Sequence, residues 1–334
     1  MLSKLRSNKI GMSITLGFIL VIILLLSLSI WWGWMPNKFD VKHHTKQVAN
    51  ELNQPVVPGY TTTTTLIEVA NWMLDKPGGF LSNDVLPPSV VMDNMPAFEY
   101  GVLQQVRDLA LAMRLDFSRS QSQSTDDKDL EKAQPKFNID HTNWAFPSAE
   151  DEYRNAIKAL IKYRDRLVDN NTMDGQFYTR ADNLSEWLRE VEKRLGAVSQ
   201  RLSASVGQER LNTDLAGDTS ARQSTSTPNE LNIKTSWWKI DDVFYESRGT
   251  CWALLHFLQA IETDFHDVLV KKNALVSLQQ IIRELESTQQ QIYSPIILNG
   301  SGFGLVANHS LVMANYVSRA NAALIDLRTL LEQG

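Results

Sequence analysis

From Ile10 to Asn37 the chain runs 28 residues without a charged side chain, and between Ile14 and Ile30 only Thr15, Gly17, Ser27 and Ser29 interrupt the apolar run. A bilayer core of about 30 Å takes about 20 helical residues to cross, so a transmembrane helix is the first constraint on this fold. A secretory signal peptide is the competing reading, but its apolar region is usually about 7 to 15 residues and ends at a small-residue cleavage site. Here the run enters Trp31, Trp32 and Trp34 instead. Indole rings favour the headgroup level, where the ring stays apolar and the N–H stays wet, so these three read as the interfacial belt of an uncleaved anchor. Lys4, Arg6 and Lys9 precede the span with no acid among them, which keeps a short N-terminus cytoplasmic. The expectation is a single-pass inner-membrane protein with everything from Lys38 onward outside, in the periplasm of a Gram-negative cell.

Composition narrows the partners. The chain has 33 basic and 38 acidic side chains, a net −5, which becomes −8 once the three cations ahead of the span are set aside. A modestly acidic exterior argues against nucleic acid and against attraction to anionic lipid. Cys251 is the lone cysteine in the sequence, so no intramolecular disulfide forms.

The exported part reads as helices at steps of three and four. After a polar juxtamembrane linker over 37–60, Leu66, Val69, Ala70 and Met73 mark a short helix stopped by Pro77-Gly78-Gly79. The stretch 75–96 holds four prolines yet is too apolar for disorder, which makes it an ordered irregular loop. Further helices follow at 97–117, after a capping box at Ser148-x-x-Asp151, along Leu184, Leu188, Val191, Leu195, Val198 and Leu202, along Phe244 to Val268, along Leu275 to Leu285, and after the Gly300 to Gly304 loop. Polar stretches at 118–134 and 203–235 read as flexible. No convincing run of alternating strands is present. The predicted class is all-α: a cytoplasmic N-terminus 1–9, an anchor 10–36, the linker 37–60, and a periplasmic helical bundle 61–334 with long irregular loops.

Several constellations invite chemistry. Gly249-Thr250-Cys251-Trp252 looks like the nucleophile turn of thiol hydrolases and acyltransferases, with His309 and Asp326 downstream as base and orienting acid. Against it, Cys251 fills one slot of an apolar helical seam. Leu298 to Gly304 resembles a phosphate cradle at a helix N-terminus, but the spacing is Gly-x-Gly-x-Gly and no Lys-Ser pair follows. His43, His44, Glu262 and His266 form no coherent metal set, so neither metal nor cofactor is expected. Trp237-Trp238 beside Asp241 can stack on a wall glycan, anchor a partner, or close the end of a bundle.

The blocks Asn71-Trp72, Asp75 to Asp84, Pro87-Pro88, Asp93-Asn94-Met95-Pro96, Arg107-Asp108, Trp237-Trp238, Asp241-Asp242, Arg248-Gly249, Asn299 to Gly304 and Asn308-His309-Ser310 together resemble a family of uncharacterised proteobacterial membrane proteins, domain of unknown function 2333. The resemblance covers almost the whole chain and implies a Gram-negative envelope protein with one N-terminal anchor. It implies no reaction and no ligand. The resulting expectation is a non-enzymatic interaction or scaffold protein that binds an envelope protein or cell-wall component. Its contact surface would be Asp75, Pro77, Gly78, Gly79, Asp93 and Asn94 with Trp237, Trp238 and Asp241. The alternatives are a cysteine-dependent envelope hydrolase or acyltransferase and a glycan-binding module.

Overall fold

A computed structural model of the chain describes residues 2–120, 125–169, 174–211 and 230–333. The uncharged run becomes α1 (Leu2–Trp32), whose stretch Gly11–Trp32 is long and apolar enough to cross a membrane. Its apolar window stands clear of the body, and only the last turn packs against the core, through Trp32. Residues 37–60, expected as a linker, are folded. Asp40 accepts the His43 N–H at 2.9 Å to cap α2 (Val41–Leu52), and Val41, Thr45 and Ala49 are buried.

The next helix, α3 (Tyr60–Asp75), starts six residues before its first predicted apolar position. Thr61 to Thr65 are all buried there, and Thr63 and Thr65 donate their hydroxyls to carbonyls one turn back, which lets a polar run enter a core. After the irregular loop come α4 (Asn94–Ala112), extended by a π turn to Phe117, then α5 (Leu130–Phe137) and α6 (Ala149–Leu167). Ser148 accepts the Asp151 N–H, the expected cap of α6. Then follow α7 (Ala181–Ser203), α8 (Ile240–Asp264), α9 (His266–Lys271), α10 (Leu275–Thr288) and α11 (His309–Glu332).

The class is all-α, with one addition that the sequence did not announce. Inside the second polar stretch β1 (Gln208–Leu211) pairs antiparallel with β2 (Glu230–Ile233). The first polar stretch is also more ordered than its composition suggests, because Leu130 and Ala133 are buried and Arg166 pairs with Asp127 at 2.6 Å and Asp129 at 2.8 Å. Most of 203–235, and residues 121–124 of the first stretch, lie outside the described residues.

Helix α8 runs through the centre. It lies parallel to α4: Thr250 donates to the Gly101 carbonyl at 3.4 Å, while Phe117 and Phe265 meet at the far ends with ring centroids 5.3 Å apart. The two backbones touch at glycines. A Cβ on Gly101 would stand 2.0 Å from the Glu246 carbonyl oxygen, and one on Gly249 would stand 2.1 Å from that of Phe98. The long helices therefore share two ends. At the far end the start of α3 meets the end of α8, with Asp264 accepting the Thr62 N–H and hydroxyl at 2.7 Å, and Ser185 of α7 reaches Glu332 of α11 at 3.0 Å. The near end collects the end of α3 and the starts of α4, α6, α8 and α11. One apolar cluster spans all of these helices, so the two halves of the chain share a core.

Candidate functional site

The body holds the exit of α1 at two levels, the middle of α8 and the near end. Trp252 donates its indole N–H to the Asn37 carbonyl at 3.3 Å, and His256 Nε2 accepts the Phe39 N–H at 3.1 Å. The imidazole stacks on Phe39 at 4.1 Å, while its Nδ1 donates to the Trp252 carbonyl at 2.7 Å, which fixes the tautomer. Burial pushes the pKa of His256 down to about 4, so the ring is neutral and Nε2 is free to accept. Above this strap, the Trp32 ring lies against Gly78: a Cβ there would come within 2.7 Å of it, and the backbone at φ +87° suits glycine. A Cβ on Gly33 would meet the Met92 methyl at 3.7 Å. The exit of α1 is therefore seated on the loop 75–96.

That loop is built around Glu99, a residue the sequence reading passed over because it lies beside Phe98 on a buried helix face. Its carboxylate pairs with Lys76 at 2.8 Å and accepts the Leu81 N–H at 3.0 Å, the Ser82 N–H at 2.9 Å and the Ser82 hydroxyl at 2.6 Å. Lys76 also donates to the Gly79 carbonyl at 2.5 Å. Burial raises the Glu99 pKa against the pull of these partners. Asn83 then ties the loop to its neighbour, donating to the Asn143 carbonyl at 3.0 Å and to Glu150 at 2.7 Å. Among the residues expected to bind a partner, Asp75 pairs with Arg154 at 2.9 Å on the surface, Pro77 and Gly78 are exposed, Gly79 is half-buried, and Asp93 caps α4 at Asn94. Beyond the pinned base the tip 85–92 carries no charge and exposes Leu86 and Val91.

Trp237 and Trp238 open the turn before α8, exposed and edge to face with centroids 4.8 Å apart. The structure brings them to the same end as the loop. The Asp242 pKa is raised by burial, and the charges of Asp93 and of neighbouring Asp241 push the same way. Trp31 and Trp34 are exposed where α1 leaves the body. Lys4, Arg6 and Lys9 lie on α1, and their side chains are outside those described.

The catalytic alternative is not assembled. Cys251 is buried in the twelfth position of α8 rather than at its start, and burial pushes its thiol up to about 12. The glycine ahead of it serves the α4 contact, and Trp252 serves the strap. His309 opens α11, where its Nδ1 accepts the Leu298 N–H at 3.2 Å and its ring faces Phe244. Asp326 is exposed seventeen residues along the same helix, about 25 Å away at helical rise. Among the described residues no group of three or more His, Cys, Asp or Glu is placed to hold a metal ion.

The glycine loop is a finger. Asn299 and Asn308 form a bridge at its base, Asn308 donates to the Gly300 carbonyl at 2.7 Å, and a Cβ on Gly300 would meet the Val306 carbonyl oxygen at 1.8 Å. Its tip exposes Phe303 and Leu305 fully, a feature hidden from a reading tuned to phosphate loops. Beside it a cavity of about 310 Å³ opens between Phe244, Tyr293, His309 and Tyr316. A larger cleft of about 640 Å³ lies between α4 and α7. Its charges pair across the walls, Arg194 with Asp108 and Arg201 with Glu246, each at 2.7 Å, while burial and Glu186 raise Asp116 to about 6.

The family described as an uncharacterized protein conserved in bacteria (DUF2333) matches residues 4–334. No curated protein and no solved structure matches the chain.

Proposed function

We propose that this chain, which belongs to that uncharacterized bacterial family, is a single-pass inner-membrane protein with a cytoplasmic N-terminus and a periplasmic helical bundle that acts as a non-enzymatic interaction or scaffold protein of the envelope. The observation that carries the reading is the seating of α1. Trp32, Met35 and Phe39 pack onto the core, and Asn37 and Phe39 are bonded to α8. Cleavage near the end of the apolar run would strip these groups from a finished core, so the packing supports an anchor that is retained. A buried thiol with its pKa near 12 supplies almost no thiolate at neutral pH, which favours interaction over thiol catalysis. The contact surface is the near end, where the Asp75–Pro96 loop and Trp237-Trp238 come together.

Fractionation with intact-mass measurement, together with a C-terminal alkaline phosphatase fusion, tests this. The expected result is an uncleaved protein in the membrane fraction with an active phosphatase. A soluble product beginning after Trp34, or an inactive phosphatase on a membrane-bound protein, would overturn it.

A further inference from the structure

We propose that the near end of the bundle rests on the bilayer that α1 crosses, with its loop tips inserted at the boundary between headgroups and acyl chains. This rests on the reading of α1 as a membrane span, and it names lipid as the occupant of the contact surface.

Four separate segments reach this end and each finishes in exposed apolar side chains. Leu86 and Val91 are 72% and 76% exposed between α3 and α4, and Phe146 is fully exposed between α5 and α6. Trp238 is 78% exposed ahead of α8, and Phe303 and Leu305 are fully exposed between α10 and α11. Single exposed apolar residues are ordinary on any surface, but their concentration at one end marks a contact. The supports are ordered: Lys76 and Glu99 pin the first loop, Asn83 ties the second to it, and the Asn299–Asn308 bridge closes the finger. The far end exposes fewer and smaller apolar side chains, Leu52, Val56, Val270 and Val276, and ion pairs such as Arg114–Asp126 and Arg166–Asp127 hold its other connections.

What selects lipid over a protein is the anchor. Trp32 on Gly78 and Met92 on Gly33 fasten the exit of α1 to this end, and the bonds at Asn37 and Phe39 tie the chain that follows to the middle of α8, so the bundle cannot stand off on a loose tether. Exposed Trp31 and Trp34 mark the interfacial level at that exit. Apolar tips flanking a span at this level enter the same boundary that amphipathic surface helices occupy. Asp84 and Asp93 are exposed on either side of the first tip in the chain, and half-buried Asp241 follows Trp238, so attachment is by apolar insertion and does not depend on anionic lipid.

The test uses the full-length protein reconstituted in vesicles of phosphatidylethanolamine and phosphatidylglycerol. Single-cysteine variants L86C, F146C, W238C and F303C are labelled with an environment-sensitive fluorophore, Cys251 being buried, and quenching by doxyl-labelled acyl chains is compared with quenching by aqueous iodide. V276C at the far end serves as the aqueous control and L20C in α1 as the control for the span. The expected result is strong doxyl quenching at all four near-end positions and at Leu20, with iodide quenching confined to Val276, unchanged when phosphatidylglycerol is omitted. If Leu20 is quenched by doxyl while the four positions respond to iodide as Val276 does, the proposal fails with the span intact, and the surface belongs to a protein or glycan. If Leu20 itself escapes doxyl, the anchor reading fails first.

Discussion

Lys76 Nζ lies 2.8 Å from Glu99 Oε1 with both side chains buried, and this pair sets the shape of the surface where α1 leaves the bundle. Glu99 gathers the backbone and hydroxyl donors of Leu81 and Ser82 as well, so the block Asp75 to Asp84 wraps around one carboxylate. Gly78 then receives Trp32 because the chain at this turn has been fixed from below. Removing the cation alone leaves a buried anion without its partner, a loss of about 3–5 kcal/mol. Lys76→Met is expected to destabilise the protein by that order in chemical denaturation. Lys76→Met with Glu99→Gln keeps an acceptor for the loop amides without the charge and should recover much of the loss. A single variant within about 1 kcal/mol of wild type would show that Glu99 is held neutral.

The strap at His256 makes a prediction about pH. Its folded pKa of about 4 lies below the ordinary histidine value of about 6.5. As pH falls from about 6.5 to 4 the unfolded chain takes up a proton that the folded state refuses. His256 therefore contributes stability that is complete above about 6.5 and lost as pH falls through 4, on the order of 3 kcal/mol in all. Asp264 has the opposite sign: raised to about 6, it contributes stability that is present below about 4 and lost as pH rises through 6. The two offset each other in the wild type, so the checkable quantity is a difference. Wild type minus His256→Gln should grow from pH 4.5 to 7, and wild type minus Asp264→Asn should shrink. A flat difference for His256 would mean that the ring is solvated.

Cys251 should resist iodoacetamide in the folded protein and react freely in denaturant, because its thiol is buried and pushed up to about 12. His309→Ala should leave both rates unchanged. Fast labelling of the native protein that slows in His309→Ala would restore the hydrolase or acyltransferase alternative.

How much of this was legible depended on whether the signal was local. The long apolar helix at the N-terminus, the cap at Ser148 and the seam Leu184 to Leu202 were readable because charge, capping and helical spacing act within one or two turns, and all six seam residues are buried. The threonine run carries no apolar signal, because composition marks Thr61 to Thr65 as polar, whereas the back-bonding hydroxyls of Thr63 and Thr65 let it pack. Glu99 was invisible because its cation lies 23 positions earlier in the chain and nothing local marks an acid as paired. The glycine loop drew attention for its resemblance to phosphate loops, yet Gly300 serves a tight crossing at Val306 and the meaningful residues are Phe303 and Leu305 at its tip. Trp252 and His256 lay within a motif and a helix already singled out, but their partners Asn37 and Phe39 come from the other end of the sequence.

The contact of α4 with α8 gives the sharpest test of the fold. Alanine at Gly101 would place Cβ 2.0 Å from the Glu246 carbonyl oxygen, and alanine at Gly249 would place it 2.1 Å from that of Phe98. The obstacles are backbone atoms of a neighbouring helix, so neither can move aside alone and the two helices must part. Parting them opens the core between Phe98, Trp252 and Leu254, and overpacking of this kind costs about 1–3 kcal/mol or more. Gly196 of α7 supplies the contrast, since its nearest neighbour to a new Cβ would be the Asn321 amide at 3.7 Å. Gly196→Ala is expected to stabilise by about 0.5–1 kcal/mol through helix propensity. Gly101→Ala and Gly249→Ala should both destabilise, and by lowering the barrier to separating α8 from α4 they should also hasten Cys251 alkylation under native conditions. A Gly249→Ala protein as stable as wild type would mean that α4 and α8 do not meet where the glycines place them.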